Sequence, residues 1–337
     1  MKALIVEQPG EAQALRLKEV KTLSAAPGRL TIDVAYAGVG FVDVMLARGE
    51  FDHVQPPYIP GLEVAGYVRE IGEGVKGFRV GEPVAAMTLS EIGGFATVVS
   101  VRPELTVRLA ELDSTLDLAV AAASIVNLTT ALIVMKDVIR LQTGGSLLVH
   151  AAAGGLGSFL GQVARRLGAG LVLGTVGSES KKSLASSLGY DELFVRSAFV
   201  EETMRATGGQ GVDAVLDPVG GAMRRASLEV MKPFGQLVVL GNAGGEPDTL
   251  QSTQELWFKN LSVAGFQLGT YSDANPERAG QRANEALQML AKGEVHADIS
   301  GIYPVHEANE ALRLLETGST RGKLLLKMDV TVGLSKI

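Results

Sequence analysis

LLVHAAAGGLGSFLGQVARRLGA, residues 147–169, decides the fold. An aliphatic run, Leu147–His150, enters a glycine turn, and the turn opens Ser158–Gly168, where Leu160, Val163, Ala164 and Leu167 stand at i, i+3, i+4 and i+7. That spacing is the apolar stripe of an amphipathic helix, and Gly168 and Gly170 end it. Strand, glycine turn and helix in this order aim backbone N–H groups at a point beyond the helix N-terminus, where a pyrophosphate can sit. Gly154 is expected to make the tight turn, Gly155 to admit the phosphates, and Gly157 to let helix and strand pack closely. A purely structural turn is the alternative, and the sequence around the motif weighs against it.

Downstream, β-branched or leucine runs recur at Leu171–Val176, Leu193–Val195, Val212–Leu216, Gln236–Leu240 and Leu261–Phe266. Helical segments at Ser180–Leu188, Glu201–Thr207 and Gly221–Met231 lie between them. Six strands joined by helical crossovers predict an α/β fold with a six-stranded, doubly wound parallel sheet. The first 115 residues differ. Strand-like runs (Arg29–Ala37, Leu62–Ile71, Pro83–Met87, Phe95–Val99, Thr106–Leu109) are broken at short intervals by Gly and Pro, as in IGEGVKGFRVGEP, residues 71–83. This pattern predicts a mainly antiparallel β domain. Two helices near 279–292 and 306–317 and a strand at Lys323–Met328 close the chain, and that strand is placed to return to the first domain. The expected division is 1–120, 121–265 and 266–337.

Composition narrows the function classes. The chain has 337 residues, 31 basic and 37 acidic, for a net charge of −6, and 46% hydrophobic residues. Its basic residues form no extended run, which disfavours nucleic acid and anionic membranes as partners. With no cysteine and only four histidines, disulfides, thiol nucleophiles and cysteine-ligated zinc are excluded. Leu118–Met135 and Thr143–Ala164 are uncharged and long enough to cross a bilayer, yet their Ser, Thr, Asn and Gly content suits buried segments of an α/β core. A soluble, cytoplasmic protein is expected.

The second strand of the sheet ends at Val176-Gly177-Ser178, where an NAD-binding chain places a carboxylate for the ribose 2′-hydroxyl. Here the next residues include Lys181 and Lys182, cations suited to a 2′-phosphate. NADPH is therefore expected over NADH, although Glu179 stands nearby and the lysines would also suit a solvated helix turn.

Six pieces taken together resemble a known family: AGVGFVDVMLARGEF (37–51), PGLEVAGYVREIGEGVKGFRVGEPV (60–84), GGFATVVSV (93–101), HAAAGGLGSFLGQVARRLGA (150–169), GVDAVLDPVGG (211–221) and TRGKLLLK (320–327). Over essentially the whole chain they resemble the medium-chain dehydrogenase/reductase superfamily, in its zinc-independent quinone oxidoreductase (zeta-crystallin-like) and enoyl reductase branch. The resemblance implies a GroES-like catalytic domain beside a Rossmann domain, a homodimer joined through sheet edges near Leu237–Leu240 and Leu256–Phe258, and an NADPH cofactor. It carries cofactor contacts onto Thr130, Gly154, Gly155, Leu156, Gly157, Ser178, Lys181, Arg196, Gly241, Asn242, Phe266, Gln267, Leu268 and Lys323. Zinc alcohol dehydrogenases of the same superfamily hold their metal with a cysteine and with the histidine of a P-G-H-E segment. Gly40 and Leu62 occupy those positions here, with Glu63 retained, and the four-cysteine lobe is missing, so no metal site is expected.

The substrate side departs from the family, for several bacterial relatives carry asparagine and two tyrosines where this chain has Gly40, Met45 and Phe51. With Phe41, these residues suit an apolar pocket, although Met45 and Phe51 would also suit ordinary core packing. Asn127 is the candidate side-chain donor near the nicotinamide, and Asp43 the candidate acid; either would also serve as a structural residue. Without a Lewis acid the substrate must arrive activated, as a C=C bond conjugated to a carbonyl. An enone or enoyl thioester, with coenzyme A as a potential carrier and Arg48 as its candidate contact, is the first expectation, and a quinone the second. An NADPH-binding sensor or structural protein is the reading from another class.

Overall fold

The computed structural model describes residues 1–10, 14–139, 142–247 and 252–329. The chain forms two compact units, Met1–Thr129 with the chain from Gly269 onward, and Thr130–Leu268. Both divisions fall later than the residues 120 and 265 expected from sequence.

The first unit begins with β1 (Lys2–Val6) and β2 (Leu15–Glu19), an antiparallel pair. There follow β3 (Leu30–Val39), α1 (Phe41–Arg48), β4 (Glu63–Ile71), β5 (Pro83–Met87), β6 (Val98–Val101), β7 (Thr106–Arg108) and α2 (Leu118–Ile133). Val134–Val138 extends α2 as a π turn. By length and composition the stretch Leu118–Val138 could cross a membrane, but most of it is buried within the protein.

The second unit carries β8 (Ser146–Val149), α3 (Gly155–Arg166), β9 (Leu171–Val176), β10 (Glu192–Val195), α4 (Phe199–Ala206), β11 (Val212–Asp217), α5 (Gly221–Ser227), β12 (Met231–Val239), α6 (Thr253–Lys259) and β13 (Ser262–Gly265). Its six strands lie in the order β10-β9-β8-β11-β12-β13, and every pairing is parallel. Leu148, Leu173, Phe194, Val215 and Leu237 form its core, as expected where helical crossovers cover a parallel sheet. Two helices differ from expectation. Ser180–Leu188 is not an α-helix but two 3-10 turns, Glu179–Leu184 and Ser186–Leu188. Its serines bond locally, Ser183 Oγ to the Ser180 carbonyl and Ser187 Oγ to that of Leu184, and such bonds compete with helical pairing. The helix expected over Gly221–Met231 stops at Ser227, and Met231 already begins β12.

The chain then continues with α7 (Leu268–Ala274), α8 (Pro276–Ala291), β14 (Ile299–Pro304), α9 (Ala308–Glu316) and β15 (Lys323–Lys327). As expected, the last strand returns to the first unit. The sheet there has the order β14-β15-β3-β4-β5-β7, with β6 also paired to β3. Only β14–β15 is parallel. The register places Leu324 opposite Val39 and Leu325 opposite Gly38. Leu30, Ile32, Val34, Val64, Val84, Leu324 and Leu326 fill the core of this unit.

Candidate active site

In the second unit β8 ends at Val149, and His150 leads into the glycine loop. The turn is made by Ala151 at φ +53°, not by Gly154, whose backbone is extended at φ −82° and ψ 176°. Gly157 is needed for contact: a Cβ there would come within 2.3 Å of the Ala151 carbonyl oxygen and 2.7 Å of Ala152 Cα. Helix α3 therefore starts against the loop backbone, with no side chain capping it. The N–H groups of Gly155, Leu156 and Gly157 are first-turn donors, which lack partners within a helix. An anion suits that position both by hydrogen bonding and by the helix dipole.

His150 holds the loop from beneath. Its ring nitrogens lie 3.0 Å from Thr175 Oγ1 and 2.8 Å from Ser227 Oγ, and the ring meets Phe199 edge-on. Burial lowers its pKa to about 4, so it is a neutral structural residue at pH 7. At the end of β11, Asp217 accepts from the Val219 and Gly220 N–H groups (2.8 and 3.0 Å) and from Arg224 Nε (2.7 Å). Arg224 also donates to the Gly241 carbonyl. This buried pair, to which sequence reading gave no role, fixes the loops after β11 and β12. Its one sequence signal is an acid closing the apolar strand VDAVLD.

Past β9, Ser178 Oγ lies 3.0 Å from Ser180 Oγ, while Lys182 is engaged by Glu179 at 2.8 Å. Lys181 is half-buried and Arg196 exposed. Burial, and then the charge of Arg196, hold the Lys181 pKa below the usual lysine range. Two cations brought this close are stabilised by a dianion between them. Asn242 keeps a buried Oδ1 without a hydrogen-bond donor, Phe266 N–H donates to the Val239 carbonyl (3.0 Å), and Leu268 is buried, while Gln267 is exposed.

The first unit contains a charged cluster. Asp43, at the third position of α1, accepts the Gly40 N–H at 2.8 Å and the Gly61 N–H at 2.9 Å. It thus closes a capping box and ties α1 to the Pro60–Glu63 loop. Burial pushes its pKa up to about 7, against the lowering effect of Gly40, the Lys323 charge and Gly61. With both oxygens turned to backbone donors, Asp43 is an anchor of that loop, and the direct acid role considered from sequence has no geometric support. Lys323, expected as a cofactor contact, has its ammonium buried and ion-paired to Glu63 inside the first unit. Glu63 Oε2 accepts the Val126 N–H of α2 at 2.9 Å.

Asn127 follows Val126. It is half-buried, and its amide bonds no described residue; Thr130, one turn on, shares its helix face. Gly40, Phe41, Met45 and Phe51 are all half-buried. Phe41 and Met45 share a face of α1, whereas Phe51 packs against the core and meets His53 edge-on. Arg48 is paired with Glu316 (2.6 Å) and Glu50 (3.3 Å), which removes it as a ready cation for coenzyme A.

Two family models match the chain, an alcohol dehydrogenase GroES-like domain over residues 26–111 and a zinc-binding dehydrogenase over 155–295. A GroES-like sheet followed by a six-stranded parallel sheet with a glycine loop after its first strand defines the class, and the chain belongs to the medium-chain dehydrogenase/reductase superfamily, as an oxidoreductase. It is similar to Escherichia coli quinone oxidoreductase, solved with NADPH, at 26% identity and a TM-score of 0.90, covering 97% of this chain and 100% of that one. It is similar to the CurK enoyl reductase at 26% identity and a TM-score of 0.86, covering 97% and 99%. It is 31% identical over 331 residues to a mycocerosic acid synthase-like polyketide synthase of Mycobacterium tuberculosis, which covers 96% of this chain but only 15% of that protein.

The name of the second family model implies zinc, and the residues here do not fit it. Gly40 and Leu62 offer no donor atom, the chain has no cysteine, and no group of three or more His, Asp or Glu among the described residues could hold a metal ion. Zinc needs nitrogen, sulfur or carboxylate ligands in a convergent set.

Proposed function

We propose that the protein reduces a C=C bond conjugated to a carbonyl, in an enone or enoyl thioester, at the expense of NADPH. The observation that carries the cofactor choice is the Lys181–Arg196 cation pair beside a second-strand end that lacks a carboxylate. The uncapped N-terminus of α3 would hold the pyrophosphate, and Ser178, Lys181 and Arg196 the 2′-phosphate. Bound NADPH supplies the hydride. The Asn127 amide, which bonds no described residue, would donate to the substrate oxygen as negative charge develops there, the kind of fixed dipole that gives large rate effects. Phe41 and Met45 offer an apolar surface for the substrate, and solvent protonates the α-carbon, since Asp43 is committed to backbone.

Quinone reduction is the second reading, favoured by the similarity to the Escherichia coli enzyme over the whole chain. Loss of NADPH absorbance decides between them, with 1,4-benzoquinone, 9,10-phenanthrenequinone, crotonyl-CoA and a branched enoyl-CoA as oxidants and NADH in parallel. Fast thioester turnover with weak quinone turnover supports the first reading, and the reverse supports the second. NADPH binding with no turnover of either would favour a non-catalytic binder. We further propose a homodimer through the edge strand β13, beside which Phe234, Trp257, Phe258 and Val263 are exposed. Light scattering at micromolar concentration tests it, and a monomer would refute it.

A further inference from the structure

The Lys323–Glu63 pair lies in no catalytic contact described so far, yet among the described residues of the first unit it is a deeply buried ion pair, with side chains only 6% and 2% exposed. Desolvating two charges is costly unless geometry is well fixed, and three features fix it. The β15–β3 register brings Lys323 level with Gly40, where a Cβ would stand 3.6 Å from Nζ and 3.7 Å from Asp43 Oδ2. Gly38 lies flat against Glu63, since a Cβ there would fall 2.6–2.7 Å from its Cγ, Cδ and Oε1, so only a glycine leaves room for the carboxylate. Its other oxygen accepts the Val126 N–H, 2.9 Å away on α2.

We infer that Lys323 is a positioning residue for Asn127: its ammonium locks Glu63, Glu63 locks the α2 backbone at Val126, and the next side chain is thereby set for the substrate oxygen. The assignment rests on the reductase reading for the role of Asn127. It differs from a direct cofactor contact by Lys323, because the ammonium is spent on Glu63 within the first unit.

The test is K323M in the full-length protein. The expected result is a fall in kcat of about 10- to 100-fold, the scale of a misplaced catalytic group, with NADPH affinity by fluorescence titration changed less than about twofold, because the ammonium is spent on Glu63. Amide exchange in the 118–133 segment should quicken. Because K323M leaves a buried carboxylate unpaired and can fail to fold, two double variants decide independently. E63Q/K323M keeps an acceptor for the Val126 N–H without any charge, and it should recover part of the kcat lost in K323M, because no buried carboxylate is left unpaired. E63A/K323M lacks the acceptor and should lose about tenfold or more.

A rise in NADPH dissociation constant above about tenfold in K323M with kcat retained would make Lys323 a cofactor ligand and overturn the inference. So would an E63Q/K323M enzyme as slow as E63A/K323M, which would mean that the charge itself acts. Were wild type to reduce neither quinone nor thioester, the reductase reading would fail, and exchange in α2 would still decide: unchanged exchange in E63A/K323M relative to E63Q/K323M refutes the positioning.

Discussion

The two units solve one problem differently. Each must hold loop backbone rigid at the ends of its strands, and each does so with buried charge. In the second unit the charges balance: Asp217 and Arg224 are one acid and one base, and their remaining atoms bind the N–H groups of Val219 and Gly220 and the carbonyl of Gly241. The neighbouring His150 is neutral. In the first unit a single ammonium, Lys323, faces two carboxyl groups, Glu63 and Asp43. Of these groups Asp43 has its pKa raised chiefly by burial, with the Glu63 charge the smallest contributor.

The largest effect that would break this comparison is R224M, which strands the fully buried Asp217. Chemical denaturation should show a loss of about 3–5 kcal/mol, with most of it regained in D217N/R224M. An R224M protein as stable as wild type would show that the pair holds nothing.

The pH dependence should carry opposite slopes from the two units. Asp43 has a folded pKa of about 7 against an ordinary value of 3.8, so its contribution is full below pH 3.8 and is lost as pH rises toward and through 7, by about 4 kcal/mol in all. His150 has a folded pKa of about 4 against 6.5. Its contribution is full above pH 6.5 and is lost as pH falls through 4, by about 3 kcal/mol. Denaturation curves from pH 4 to 8 should therefore lose the falling limb in D43N and the rising limb in H150Q. Identical profiles for wild type and both variants would contradict the buried-charge account.

A third measurement sharpens the functional contrast. N127A in the first unit should lower kcat by about 10²-fold, the cost of removing one fixed donor to a developing oxyanion, while NADPH affinity holds. The smallest expected effect is in the second unit, where K181A or R196A should each weaken NADPH about tenfold or more, and NADH hardly at all, because one charge-assisted bond to the 2′-phosphate is lost. Equal losses for both nucleotides would remove these residues from the phosphate site.

The second unit was legible in the sequence to within a residue or two at most strands, because a parallel sheet buries both faces and writes itself as apolar runs. Its errors were local: the serines of 180–187 satisfy their own backbone, and the turn of the glycine loop falls on Ala151, an ordinary residue that no pattern marks for positive φ. The first unit was less legible. The short strand β2 and the helix α1, whose Phe41-Val42-Asp43-Val44 start is β-branched and aromatic, went unread because tertiary packing overrides weak local propensity.

By itself the sequence determined the superfamily, the doubly wound sheet, the glycine loop and the lack of zinc-donor residues at positions 40 and 62. Each of these depends on residue type at short spacing, which is what a chain displays directly. Only the tertiary structure decided what Asp43, Glu63, Lys323 and Arg224 do. Their partners lie far away along the chain or are backbone groups, and a lysine that ion-pairs in a core looks, in one dimension, the same as a lysine that waits for a phosphate. Strand register brought Lys323 to Gly40 and burial made the charges matter, because desolvation is a property of the folded surroundings and not of the residue.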